Sequence, residues 1–144
     1  MKILQKGGSL ADSTEDKFNL KIHHCGLYVP DLESSINWYR DIFGFEVHMR
    51  LTIEQIPAKV AFIKRGDFFI ELFEVEGRVP TPEEAKSYGT KHMAFVVENF
   101  NEFMDNLKQK GVEIIMEGKH GDIGMAFIKD NYGISIEIVE VGAP

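Results

Sequence analysis

Two histidines and two glutamates lie at matching positions in the two halves of the sequence. Glu71 follows His24 by 47 residues, and Glu137 follows His92 by 45. All four lie in short β-rich segments, where the alternation of side chains could direct them to one face of a sheet. Imidazole nitrogens and carboxylate oxygens suit a divalent cation that keeps open positions for water or substrate. A bound cation would also keep a buried carboxylate ionised.

Glu71 lies in the middle of FFIELFEV, residues 68–75, a segment with the composition of a buried strand. Alternation places it on the same face as Phe69 and Phe73, so these two rings are expected to line a cavity. Glu137 is expected to point away from the row of isoleucines in its own strand, which would face a helix. An alternative without metal is a binding module in which the acids pair with Arg, Lys or the histidines.

The remaining histidines and the single cysteine have simpler interpretations. His23 is expected on the face opposite to His24, as a helix-facing or edge residue, with the alternative that it is the ligand instead. His48 and His120 are expected to be solvated or to lie at the rim of the pocket. Cys25 is expected to fill the core rather than to act as a nucleophile.

The elements that would position the four side chains occur in the same order twice. In the first half, Asp31 is a suitable N-cap for an amphipathic helix that ends at Gly44. In the second half, Asn99 and Glu102 have the spacing of a capping box, and the helix ends at Gly111. The predicted strands are 21–29, 45–51, 59–65 and 68–75 in the first half, and 90–97, 112–117, 124–130 and 134–141 in the second.

The duplication extends to individual residues. Aligning His24 with His92, an offset of 68 residues, places apolar positions of the two helices on each other. Phe62 matches Phe127 at an offset of 65, the change falling at helix ends and turns, where length varies most freely. Either phenylalanine could belong to the core or to the lining of the cavity. The predicted organisation is an N-terminal extension at 1–20, a first βαβββ module at 21–75, a linker with a short helix at 76–89 and a second βαβββ module at 90–141, the two modules forming one domain at 21–141.

Composition restricts the class of partner. The chain has 144 residues, of which 44% are hydrophobic and 27% charged, an ordinary globular balance. A net charge of −7 without a basic cluster opposes binding to nucleic acid or to an anionic membrane. A single cysteine fits a reducing compartment. We therefore expect a cytoplasmic protein with a small-molecule substrate, no nucleic-acid partner and no membrane association.

Four segments carry a family resemblance: HHCGLYVPDLESSINWYRDIFGFEV (23–47), FIELFE (69–74), GTKHMAFVV (89–97) and KDNYGISIEIVE (129–140). They resemble the vicinal oxygen chelate superfamily, which includes glyoxalase I, methylmalonyl-CoA epimerase, extradiol dioxygenases and bleomycin- or fosfomycin-resistance proteins. The resemblance implies an α+β fold of paired βαβββ modules that form a cupped mixed β-sheet around a metal. The implied metal ligands are His24, Glu71, His92 and Glu137.

The resemblance also implies a reaction. A lyase or isomerase of this type would use Zn, Ni, Co or Mn and would abstract a proton next to a carbonyl, with Glu137 as base and Glu71 able to take that role. The alternatives are an Fe-dependent ring-cleaving dioxygenase, which would use His24, His92 and Glu137, and a resistance-type binding protein without turnover. A homodimer is expected.

The resemblance does not determine whether the substrate is attached to glutathione, to CoA or to no thiol. Tyr28 and Val75 stand where glyoxalase I commonly has an arginine and an asparagine that hold glutathione, so a glutathione substrate would need other anchors. The segment VAFIKRGDFFIELFE (60–74) is similar to methylmalonyl-CoA epimerases.

Overall fold

The computed structural model describes residues 22–53, 58–77 and 92–141. In these ranges the order of elements is βαβββ twice, as predicted. The expected N-terminal extension at 1–20 and nearly all of the expected linker at 76–89 lie outside the described residues. The elements are β1 (His24–Val29), α1 (Leu32–Phe43), β2 (Glu46–Ile53), β3 (Ala58–Arg65), β4 (Phe68–Val75), β5 (Met93–Val97), α2 (Phe100–Gln109), β6 (Ile114–His120), β7 (Ile123–Lys129) and β8 (Ser135–Glu140).

The described strands form two mixed sheets with the same topology. Their strand orders are β1-β4-β3-β2 and β5-β8-β7-β6. The first strand of each module runs parallel to the last, and the other pairings are antiparallel. The α+β class and the paired βαβββ modules are thus confirmed. As a consequence of this order, β1 and β5 are both edge strands of their sheets.

Local sequence signals explain where α1 begins and ends. The Asp31 carboxylate accepts a hydrogen bond of 2.7 Å from the backbone N–H of Ser34, as expected of an N-cap. The helix ends at Gly44, which adopts the left-handed conformation with φ 70°. Neither described helix is long and apolar enough to cross a membrane.

The start of α2 differs from the prediction. Asn99 also has a left-handed backbone, with φ 46°, and its side chain makes no capping hydrogen bond. A capping side chain reaches the next turn from an extended backbone, which Asn99 does not adopt, so the predicted capping box is wrong.

The two modules share one apolar core. Phe43 at the end of α1 lies 4.6 Å from Phe95 of β5 and 6.2 Å from Phe103 of α2, measured between ring centroids. Phe45 and Phe68 also contact the Phe95 ring. The end of α1 is therefore fixed against the second module, so β5 lies beside the β2 and β4 termini of the first module.

A buried hydrogen bond connects the modules at a second point. Tyr39 is fully buried and its hydroxyl donates to Oδ2 of Asp130 at 3.0 Å. The other oxygen of this carboxylate accepts from the backbone N–H groups of Tyr132 and Ile134. Burial raises the pKa of Tyr39 far above its usual value, and the Asp130 carboxylate adds to the effect, so the hydroxyl remains a donor.

We expect Tyr39→Phe to lower the free energy of unfolding by about 1–3 kcal/mol, because Oδ2 of a buried carboxylate would lose its partner. Urea unfolding followed by circular dichroism measures the change. Tyr132→Phe is the matched control, since the Tyr132 hydroxyl makes no hydrogen bond within the described residues. Equal losses in both variants would contradict a specific contribution of the Tyr39–Asp130 bond.

Candidate functional site

The first His–Glu pair is built by the parallel pairing of β1 and β4. His24 lies level with Phe69, and Gly26 lies level with Glu71, so the histidine and the glutamate are diagonal neighbours on one face. Their Nε2 and Oε2 atoms are 3.1 Å apart, with 36% and 16% of the respective side chains exposed. Phe73 lies two residues further along the face of Glu71, and it is half-buried, as are Phe69 and Glu71. The prediction that Phe69, Glu71 and Phe73 share one face of the strand is confirmed.

The second pair repeats this arrangement, with Glu137 in β8 and His92 immediately before β5. Nε2 of His92 lies 3.0 Å from Oε2 of Glu137, and 27% and 18% of these side chains are exposed. The neighbours of Glu137 in β8, Ile136 and Ile138, are completely buried in the core. Glu137 therefore points away from the helix-packing face, as predicted.

An aromatic ring supports each pair in the same way. Phe62 lies level with Glu71, and its ring meets the His24 ring edge to face at 5.3 Å and 81°. Phe127 lies level with Glu137, and its ring meets His92 at 5.2 Å and 80°. The sequence did not decide whether the two matching phenylalanines belong to the core or to the lining of the cavity. In the structure each ring contacts a histidine, so the modules share a three-residue unit of His, Glu and Phe.

Aromatic rings surround the first pair, and one of them, His23, does not point where the sequence predicted. The ring of His23 stacks on Phe69 at 5.3 Å and 10°, on the side of the His24–Glu71 pair. The prediction that His23 faces away from His24 is wrong, because β1 begins at His24 and alternation does not apply to the residue before it. The His48 ring lies 5.2 Å from Phe69, and the His120 side chain lies outside the described part of the structure.

The two pairs remain separate within one chain. No group of three or more His, Cys, Asp or Glu side chains among the described residues is arranged to hold a metal ion. Each pair supplies one nitrogen and one oxygen, whereas zinc sites use three or four protein ligands. The donor types of each pair fit a divalent cation, and both pairs together would supply a sufficient number. Nδ1 of His92 is buried without a hydrogen-bond partner among the described residues.

The edges that carry the two histidines are open in the described part of the chain. None of the described strands pairs with the outer side of β1 or of β5. Tyr28 of β1 and Val96 of β5 expose 57% and 63% of their surface, high values for large apolar residues. Beside the β5 edge lies an open groove of about 900 Å³ whose lining includes Val47, Lys64 and Arg65. The sheet edge nearest each His–Glu pair is thus accessible.

The topology and the paired sites define a class of protein. Residues 21–138 match the Glyoxalase/Bleomycin resistance protein/Dioxygenase superfamily, and the chain belongs to that family. The predicted resemblance is confirmed.

Individual relatives are similar at low identity. The mitochondrial methylmalonyl-CoA epimerase of Homo sapiens is 27% identical over 128 residues, which are 82% of this chain and 72% of that protein. A probable lactoylglutathione lyase of Synechocystis is 28% identical over 127 residues, 83% of this chain and 95% of that protein. Among solved structures, a glyoxalase family protein from Enterococcus faecalis has a TM-score of 0.76 at 25% identity, covering 85% of this chain and 99% of that one.

Proposed function

We propose that this protein is a metal-dependent lyase or isomerase that removes a proton from the carbon next to a carbonyl group. The observation that carries the proposal is the equivalence of the two pairs. Glu71 approaches His24 as closely as Glu137 approaches His92, at 3.1 and 3.0 Å. A dioxygenase site would need only one of these carboxylates. Two equivalent carboxylates favour a set of four ligands and the lyase or isomerase.

The names of the relatives support a substrate class. Lactoylglutathione and methylmalonyl-CoA are both thioesters, and both carry a hydrogen on the carbon next to the thioester carbonyl. The electron-poor carbonyl makes this hydrogen acidic. We propose that the substrate of this protein is a small carbonyl compound of the same kind, either a thioester or a precursor that becomes one.

We further propose that the complete site forms between two copies of the chain. In a twofold dimer, the β1 edge of one protomer would lie beside the β5 edge of its partner, and the same contact would occur twice. Each contact would combine a His24–Glu71 pair with a His92–Glu137 pair from the other protomer. This arrangement supplies four ligands per site and covers the exposed Tyr28 and Val96. The expected homodimer is part of this proposal.

In such a site, His24, Glu71, His92 and Glu137 would hold the cation. A divalent cation supplies Lewis acidity, which stabilises negative charge on the carbonyl oxygen when the proton leaves. Glu137 accepts the proton from the α-carbon and returns it, and Glu71 can do the same for a substrate presented from the other side. Phe62 and Phe127 hold the imidazole rings and limit access of water to the carboxylates.

The test begins with metal analysis of the purified protein. We expect about one Zn, Ni, Co or Mn ion per chain, since a twofold dimer would contain two composite sites. The loaded protein should then exchange the α-proton of methylmalonyl-CoA or lactoylglutathione with deuterium from D₂O, which proton NMR detects. Oxygen consumption that requires iron would favour the dioxygenase. Failure to bind any metal under any loading condition would contradict both enzymes and favour the binding protein.

A further inference from the structure

His23 is the residue with an unexplained contact next to the proposed site. Its Nδ1 lies 2.8 Å from Nδ1 of His24, a hydrogen-bonding distance between two ring nitrogens. Its ring also stacks on Phe69, which restricts the directions in which Nδ1 can point. The other ring nitrogen of His24, Nε2, faces Glu71. Both nitrogens of His24 therefore have a partner, and two of the surrounding rings, His23 and Phe62, fix its plane.

Within the described residues, the second pair has no such contact. His92 has the same Nε2–carboxylate distance and the same edge-to-face phenylalanine, but its Nδ1 is buried without a partner among the described residues. Among the described residues, the contact from His23 is thus a difference between two otherwise equivalent units. A histidine that binds a metal through one nitrogen is usually oriented by a hydrogen bond at the other. The first unit contains this support within the chain.

We propose that His23 is a positioning residue that holds the ring orientation of His24 in either tautomer of that ring. Without metal, Nε2 of His24 donates to the Glu71 carboxylate, so a neutral ring has a bare Nδ1 that accepts from Nδ1–H of His23. If Nε2 is to bind a cation, its lone pair must be free and the proton must lie on Nδ1, which then donates to a bare Nδ1 of His23.

Histidine suits this task because its Nδ1 can be either a donor or an acceptor. A backbone carbonyl or a carboxylate could only accept, and a lysine could only donate. His23 can therefore keep the His24 ring in place in both states while both rings stay neutral. The part of the inference that concerns metal binding rests on the proposed function, and the part that concerns the metal-free contact between His23 and His24 does not.

The test uses three variants. His23→Phe keeps a ring that can stack on Phe69 and removes the nitrogen. His23→Asn has a donor and an acceptor at the same number of bonds from Cβ as Nδ1, and it should restore the contact. His48→Phe is the matched control, because its ring also contacts Phe69 and no hydrogen bond joins it to His24 within the described residues.

The first measurement is made on metal-free protein at a pH where the rings are neutral. Long-range ¹H–¹⁵N correlation spectra report the ¹⁵N shifts of both ring nitrogens of His24, and the shift of a bare ring nitrogen depends on whether it accepts a hydrogen bond. We expect the Nδ1 shift of a hydrogen-bonded acceptor in the wild type, His23→Asn and His48→Phe, and a move towards the shift of a free acceptor in His23→Phe. An unchanged Nδ1 shift in His23→Phe would overturn the inference, whether or not the protein binds metal.

The second measurement is calorimetric titration with Zn²⁺. We expect His23→Phe to raise the dissociation constant by about 10- to 100-fold, the usual effect of losing an orienting partner. His23→Asn should recover most of the affinity, and His48→Phe should stay close to the wild type. Equal losses in His23→Phe and His48→Phe would show a general effect of the aromatic surroundings and would contradict the positioning role. If neither the wild type nor any variant binds Zn²⁺, the proposed function fails, and the Nδ1 shift measurement still decides the inference.

Discussion

The Glu71→Gln variant is expected to lose α-proton exchange on methylmalonyl-CoA and lactoylglutathione by a factor of about 10²–10⁴, the range supplied by a positioned acid or base. Glutamine has nearly the shape of glutamate and can still hydrogen-bond to His24, but it is a poorer metal ligand and cannot take up the proton. Glu137→Gln should lose at least as much, because Glu137 is the expected base. Each rate is measured by NMR in D₂O with the metal content determined on the same sample.

The control for this experiment lies on the same strand. Glu74 follows Glu71 by three residues and points to the other face, where it accepts hydrogen bonds from Lys59 and from the backbone N–H of Leu32. Glu74→Gln carries the same chemical change and should leave the exchange rate within a factor of about three, since surface substitutions have small effects. Normal exchange in Glu71→Gln would contradict the four-ligand site and would favour the dioxygenase, which needs only Glu137 of the two acids.

Most of the fold could be predicted from the sequence because its signals are local. Alternation in FFIELFEV fixed which residues face the core, and β4 has the predicted bounds. The side chain of Asp31 and the backbone freedom of Gly44 fixed both ends of α1. The duplication indicated the four candidate site residues, since a His and a Glu at similar separations in each half stand out when the halves are aligned.

The features that escaped prediction depend on where elements stop or on how distant parts meet. The side of His23 could not be inferred from alternation, because the strand begins one residue later. The backbone of Asn99 departs from the conformation that its residue type and spacing indicated. No sequence pattern states whether the His–Glu pairs meet within one chain or between two. Within one chain, the relative position of the two pairs depends on how the modules pack, as in the contact of Phe43 with Phe95.

Two mixed dimers are expected to show whether the four ligands of a site come from one chain or from two. In the first, a His24→Ala protomer is joined to a His92→Ala protomer, using two affinity tags for purification. If sites form between protomers, one site lacks both histidines and the other has all four ligands. This dimer should bind about one tight Zn²⁺, against two for the wild-type dimer. A dimer made only of His24→Ala or only of His92→Ala protomers should lose tight Zn²⁺ binding. Loss of a residue that merely orients a metal ligand already lowers metal affinity by about 10- to 100-fold, and loss of the ligand itself costs at least as much.

The second mixed dimer carries both substitutions in one protomer and none in the other. Its two sites between protomers would each lack one histidine, so it should bind no tight Zn²⁺, although it contains the same residues as the first dimer. Sites within single chains predict the reverse, with one intact site in the second dimer and none in the first. Light scattering must show a dimer in both samples, and a monomeric wild type would contradict the shared site. Because the two dimers have the same composition, a general loss of stability cannot produce opposite results. The number of tightly bound Zn²⁺ ions in the two dimers therefore shows whether each His24–Glu71 pair combines with the His92–Glu137 pair of its own protomer or of the partner.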